Sequence, residues 1–457
     1  MNIKVRNIIL IVNLLGLSAC FEDNNQSRCT APTYNSDGTL EQTNIIRCYT
    51  PQDIQKAYQL DEFYNMGLTG AGVKIVIVDA YANRTTAEEL SVFHDAFFPN
   101  RDMPDFQSIT VGDPEYNTSW ESGVAVDTQW VHAIAPDASI DLVMGQIDTS
   151  LDSLADVINY IVNEGDYAEG TIVSMNLGAI ESHYSEDQIK TIETLLEKGV
   201  MDKGITFFAS TGDYGSSNYE DEPTIYYPAS SAYVTAVGGT LLQYGWSWYP
   251  TSNTPYLDSD DKNPDYFNSP DNPSVRLETV WNEAWAEIAT GGGISTLFDI
   301  PDFQAPVAEI IDNNTATGRG IPDLAWSSSV NGGVLAYYDG SWAIHGDAAT
   351  PQVAAFFGLI NQYLAEQGMD YIGHLNTWLY QIEDKNAFND ILPITQGTVL
   401  AGQQVNNQLF EYLNDGSVAY GDVLGYSTTA GWDLTTGFGS PRGKDFLEAL
   451  VKVMSED

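Results

Sequence analysis

Basic residues are scarce in this chain. It carries 18 Lys and Arg against 63 Asp and Glu in 457 residues, a formal charge of −45. So acidic a surface argues against nucleic acid and against anionic membranes as partners. It fits a protein kept soluble in salty water or adapted to acid. Cysteine is also scarce, with three in the whole chain, too few for a disulfide scaffold. No apolar run beyond residue 20 is long enough to span a bilayer, and no internal repeat is visible. The 43% of apolar residues suffices for one large domain or two ordinary ones.

The first twenty residues read as a targeting segment. Lys4 and Arg6 precede an apolar stretch from Ile8 to Leu17, and Leu17-Ser-Ala-Cys20 resembles a bacterial lipobox. Cleavage there would leave Cys20 as an acylated first residue and a lipid anchor. Phe21 follows it, not an inner-membrane aspartate, which points to the outer membrane, cell surface or periplasm. Plain secretion is the alternative. Loss of residues 1–19 leaves 16 basic side chains against 63 acidic ones, a charge of −47. Cys29 and Cys48 then remain, an even pair expected to form a disulfide in an exported protein. It would tie a tether over residues 20–47 to the start of the domain.

Beyond the tether, strands and helices alternate. Thr50 and Pro51 open a short helix as N-cap and first helical residue. Gly70 to Asp79 reads as a turn and a buried parallel strand. Helices are expected over 86–98, 124–135, 151–163 and 186–203, with strands over 139–144, 171–174 and 205–210. The implied fold is α/β, a mainly parallel twisted sheet with helices on both faces. Ligands of such sheets bind beyond the carboxyl ends of the strands, where Asp79, Gly178 and Asp213 fall. Residues 243–275, rich in Trp, Tyr, Pro, Asn and Asp, break the alternation and read as a surface insertion. They could equally serve adhesion.

The stretch Ile344-His-Gly-Asp-Ala-Ala-Thr-Pro-Gln-Val353 stands between a strand-like run and an apolar helix. A tight turn over 346–350 would hold Asp347 at the entry to that helix. The stretch resembles the Gly-Thr-Ser-x-x-x-Pro nucleophile segment of subtilisin-like peptidases, with aspartate in the serine position. Gly70 to Tyr81, Asp127 to Pro136, Ala209-Ser-Thr-Gly-Asp-Tyr-Gly215, Val237-Gly-Gly-Thr240, Thr290 to Ser295, Gly320-Ile-Pro-Asp323 and Ala430 to Pro441 follow in order. Together they resemble the sedolisins, the serine-carboxyl peptidases, over residues 48–455. The resemblance implies a subtilisin-like fold and four site positions. The orienting aspartate is Asp127 and the oxyanion aspartate Asp213. The general-base glutamate position holds Gly123, four residues before Asp127, and the nucleophile position holds Asp347. Glu121, six residues before Asp127, lies about 120° off that helix face.

Two of the four roles are therefore missing, which points to a pseudopeptidase that binds peptide or protein in the former cleft. The arm ahead of Cys48 is also shorter than the family's propeptide, in keeping with lost catalysis. Two alternatives stand. Asp347 and Asp127 could share a proton and activate water in an acid endopeptidase, or with Asp79 form a cation-binding hollow. The plainest reading of Asp347 is a helix cap in a dead cleft. Ser295 and Ser341 have no partner legible in the sequence, and His132 and His345 read as structural. The resemblance also implies one structural calcium, held by Asp390, Ile391, Thr429, Gly431 and Asp433 through hard oxygen ligands.

Overall fold

The computed structural model describes residues 48–147, 152–244, 276–283, 286–314, 317–330, 332–392, 406–412 and 418–456. Alternating apolar stretches become an eight-stranded sheet. Its strands are β1 Lys74–Ala80, β2 Phe106–Thr110, β3 Ser139–Gly145, β4 Ile172–Met175, β5 Thr206–Ser210, β6 Val234–Tyr244, β7 Arg276–Val280 and β8 Leu324–Ser327. The order runs β7-β6-β5-β4-β1-β3-β2, with β8 also paired to β6. Every pairing is parallel except β6 with β7. The carboxyl ends of β1, β4 and β5 thus line up along one edge. Strand period sorts the side chains: Ile75 and Ile77 enter one core, Val76 and Val78 the other.

Helices cover both faces. They are α1 Pro51–Ala57, α2 Thr86–Phe97, α3 Glu121–Ile134, α4 Asp152–Asn159, α5 Glu186–Met201, α6 Ala349–Gln367 and α7 Gly443–Glu456. At α1, Thr50 and Asp53 form a reciprocal capping box. Helix α6 is buried on all sides from Ala349 to Gln362. A helix apolar all round belongs in a core, and this one lies among β1, β4, β5, β6 and α3. A hairpin of β9 Gly333–Tyr338 and β10 Ser341–His345 feeds it.

Three boundaries differ from the sequence reading. Helix α3 begins at Glu121, three residues early, so Gly123 lies in its first turn. Helix α6 begins at Ala349, which puts Pro351 third, still within the turn that needs no N–H from it. The insertion cannot start at 243, because Gln243 and Tyr244 pair with Leu277 and Arg276 in the sheet. The rest of it, 245–275, lies outside the described residues, as do the signal segment, Cys20 and Cys29. Cys48 is buried beside Gly333 at the hairpin.

One buried charge was not foreseen. Arg319 and Asp323, both 0% exposed, form a bidentate pair at 2.6 and 3.1 Å. Arg319 also donates to the Ser231 and Val234 carbonyls, and Asp323 accepts from Ala236 N on β6. Removing one partner strands a buried charge. Arg319→Met is expected to cost about 3–5 kcal/mol in denaturant unfolding. Arg101→Met, which breaks the exposed Arg101–Asp137 pair, should cost less than about 1 kcal/mol.

Candidate active site

The site is assembled from four elements at the carboxyl edge of the sheet. Asp79 ends β1, Asp127 faces inward from α3, Asp213 follows β5, and Asp347 sits in the turn before α6. Asp347 adopts φ +53°, and its N–H donates to the Ser328 carbonyl at 2.7 Å. That backbone region disfavours most residues but tolerates aspartate. The turn is therefore held by the backbone whatever the side chain does. Asp347 does not cap α6. The N-cap is Ala348, with no side-chain hydrogen bond, so the capping reading falls.

Asn176, just past β4, ties the pieces together. Its Nδ2 donates to Asp127 Oδ1 at 3.0 Å and to the Asp347 carbonyl at 2.8 Å. Its Oδ1 is buried and without a partner. Sequence reasoning missed this residue, although it lies at a strand end where ligands collect. The Asp213 loop is braced by close backbone contact: Gly291 N donates to Gly212 O at 2.7 Å, and a Cβ on Gly291 would fall 1.9 Å from the Thr211 carbonyl. That accounts for glycine in the Thr290-Gly-Gly-Gly run.

Electrostatics follow from burial without a counter-cation. Asp79 is 3% exposed; its Oδ1 accepts from Ala80 N, and its Oδ2 has no partner. Burial pushes it up to about 7 and Asp213 up to about 6. Asp127 is raised well above its ordinary value by burial and then by Asp79. Asp347 is raised by burial first and by Asp213, Asp127 and Asp79 after it. Desolvation thus leads at both, with the neighbouring carboxylates after it. Asp213 and Asp347 line one small hollow, with Ser210, Trp281 and Ser328.

The remaining candidates fall elsewhere. Gly123 is one turn before Asp127, and a Cβ there would meet nothing within 4 Å. Glu121 feels Asp339, not the aspartate cluster. His132 Nε2 bonds His94 Nδ1 at 3.0 Å, both rings buried away from the site. His345 is pushed down to about 4 by burial, and its Nε2 has no partner. Ser295 does have a carboxylate partner, Glu181 at 2.8 Å, but both are buried and Ser295 Oγ also accepts the Leu297 and Phe298 N–H groups. Ser341 is exposed on β10.

The predicted metal segments meet. Asp390 Oδ2 accepts from Gly431 N at 2.8 Å, and Asp433 Oδ2 from Thr429 N at 3.0 Å. Burial pushes Asp433 up to about 7, against the backbone hydrogen bonds from Thr429, Thr435 and Thr436. Among the described residues, no three His, Cys, Asp or Glu side chains converge as a metal-binding group. A site completed by Ile391, Thr429 and Gly431 carbonyls would need only the two carboxylates.

Comparison with known proteins follows the same lines. Kumamolisin of Bacillus sp. (strain MN-32) is 28% identical over 426 residues, covering 89% of this chain and 64% of that protein. Human tripeptidyl-peptidase 1 is 26% identical over 296 residues, covering 61% of this chain and 43% of its own length. The chain thus spans less than two thirds of these curated relatives. No family model matches it. Pseudomonas sedolisin, a serine-carboxyl proteinase complexed with two molecules of pseudo-iodotyrostatin, shares the fold. Its TM-score is 0.66 at 21% identity, over 90% of this chain and 99% of that one.

A carboxyl group raised by burial contributes most to stability below its unfolded value, 3.8 for Asp. The contribution fades as pH rises toward the folded value, because the native state then holds the extra proton. Asp347→Asn removes that loss. It is expected to raise the melting temperature at pH 7 by a few degrees, about 1 kcal/mol, with no gain at pH 3. A destabilised variant at pH 7 would show that the ionised carboxylate is needed there.

Proposed function

Because this chain belongs to the sedolisin family, we propose that it is a pseudopeptidase that holds a peptide or protein segment in the former catalytic cleft. The observation that carries this reading is Asp347 at the nucleophile turn. The turn keeps its left-handed backbone and its hydrogen bond to Ser328, but it presents a carboxyl group where acyl transfer needs a hydroxyl. Gly123 supports it, since the base position holds no side chain. Asp127 and Asp213 remain in place, so the cleft keeps its shape and loses its chemistry. Export as a lipoprotein through Cys20 and the Cys29–Cys48 disulfide belong to the same proposal.

One observation favours a second reading, an acid peptidase built on carboxylates. Asp347 is raised by burial and then by three neighbouring aspartates, the condition under which a carboxyl pair keeps one proton and can activate water. Incubation with an unfolded protein at pH 3 to 7, read by mass spectrometry, separates the two. We expect no cleavage by the natural chain. Triad members act as a unit, so Gly123→Glu and Asp347→Ser should each stay inactive alone and give acid-pH cleavage together. Cleavage by the natural chain that Asp347→Asn abolishes would select the carboxylate enzyme.

We also propose a structural calcium at Asp390, Ile391, Thr429, Gly431 and Asp433. The donor set is all oxygen and fits a hard cation; it supplies rigidity to the C-terminal loops and no chemistry. Calcium at a hundredfold excess over its Kd should stabilise by about 2.7 kcal/mol. Chelator should lower the melting temperature of the natural chain and leave Asp390→Ala unchanged.

A further inference from the structure

We propose that the outer edge of β10 receives an extended, basic peptide segment as an added strand, main chain against main chain. This rests on the cleft-binding reading above and says how the segment is held. Residues Ser341 to His345 form the last strand of a small sheet whose order is Cys48–Tyr49, β9, β10. Among the described residues, β10 is therefore paired on one side only.

Which groups stay open follows from the far side of β9. Tyr337 N–H donates to Gln129 Oε1 at 2.9 Å, and its carbonyl accepts from Gln129 Nε2 at 2.7 Å. The Leu335 carbonyl accepts from Trp130 Nε1 at 2.9 Å. These groups point to α3, away from β10. In an antiparallel pair, opposite residues alternate between bonded and non-bonded pairs. Trp342 stands opposite Tyr337, and Ile344 opposite Leu335. Both belong to non-bonded pairs, so their N–H and C=O groups turn outward. Among the described residues, no backbone group meets them. Natural edges are commonly guarded by charge, by proline or by a covering element. Ser341-Trp-Ala-Ile-His345 contains no Lys, Arg, Asp, Glu or Pro.

The edge is rigid and leads into the site. The Trp342 ring packs on Tyr337, Phe97 and Phe93, with centroids at 5.3, 5.5 and 6.1 Å. A strand already ordered loses little freedom on binding. Ile344 is followed by His345, Gly346 and then Asp347, so an added strand has one end at the former nucleophile position. Acids stand at both ends of the edge. Asp347 and Asp213 share the hollow at one end. At the hairpin tip, Asp339 N–H donates to Glu89 Oε1 at 3.0 Å. Main-chain bonds give an added strand its affinity and alternate side chains its selectivity. Lysine or arginine in the segment complements the acids.

Calorimetry with the full chain tests this. The probes are a short end-blocked peptide of alternating lysine and valine, the same peptide N-methylated at every residue, and a glutamate–valine counterpart. The lysine peptide should bind about tenfold or more tightly than either of the others. Ile344→Pro removes an outward N–H and no β9–β10 bond; it should erase the preference at an unchanged melting temperature. If that variant does not fold, the N-methylated peptide against the natural chain decides alone. In amide exchange, Trp342 and Ile344 should be fast in the free chain and slow with the lysine peptide, while Ala343 and His345 stay slow throughout. Slow exchange at Trp342 and Ile344 in the free chain means the edge is already covered and overturns the proposal. So does a dimer of the natural chain that Ile344→Pro dissolves, which gives the edge to a second copy. Equal binding of the N-methylated or glutamate peptide overturns the basic added strand and leaves cleft binding standing. No binding by any probe overturns both.

Discussion

Asn176 Nδ2 bonds an acid on a helix and a carbonyl in a turn at the same time. Through those two bonds α3, β4 and the entry to α6 share one fixed point. The sheet makes this geometry available, because parallel strands end together and the chain leaves them at one edge. The buried helix α6 makes it rigid. Buried on all sides from Ala349 to Gln362, it cannot shift without opening the core on one face of the sheet. The position of Asp347 is thus a property of the core, and its carboxyl group is presented by backbone that would present any residue the same way.

That separation explains how such a site can change its chemistry while the fold persists. The Asp347 N–H to Ser328 O bond, the Gly291 approach to Thr211 and the Asn176 clasp involve backbone, or side chains other than the reacting ones. Gly123 leaves open space one turn before Asp127. Placing four aspartates together has the opposite character. Each is desolvated, and among the described residues no basic side chain acts on them to offset it. The fold tolerates this by holding protons at pH values where exposed aspartates have lost them.

Much of this was legible in the sequence where local chemistry decides the outcome. The capping box at Thr50 and Asp53, the buried strand ending at Asp79 and the apolar helix after Asp347 follow from caps and periodicity alone. Ordered motifs placed Asp127, Asp213 and Asp347 in one cleft. The parts that were hidden depend on partners far apart in the chain. Asn176 looks like any polar residue after a strand until Asp347, 171 residues later, is beside it. Arg319 reads as a loop charge until the Ser231 and Val234 carbonyls meet the guanidinium. The order of burial over repulsion at Asp347 could not be ranked either, since a sequence does not give the depth of a side chain.

His132 shares helix α3 with the site, and its ring meets His94 on α2. The Arg101 carbonyl can only accept, so His94 Nε2 carries the proton that reaches it at 3.1 Å. His94 Nδ1 must then accept from His132 Nε2, which leaves His132 Nδ1 bare and buried. Burial pushes His132 down to about 3 from 6.5. An unfolded chain takes up that proton first, so acid pulls this end of α3 apart. Asp127, five residues earlier on the same helix, responds in the opposite sense. Acidification relaxes one end of α3 and loads the other, so the helix behaves as a lever with two opposed pH responses.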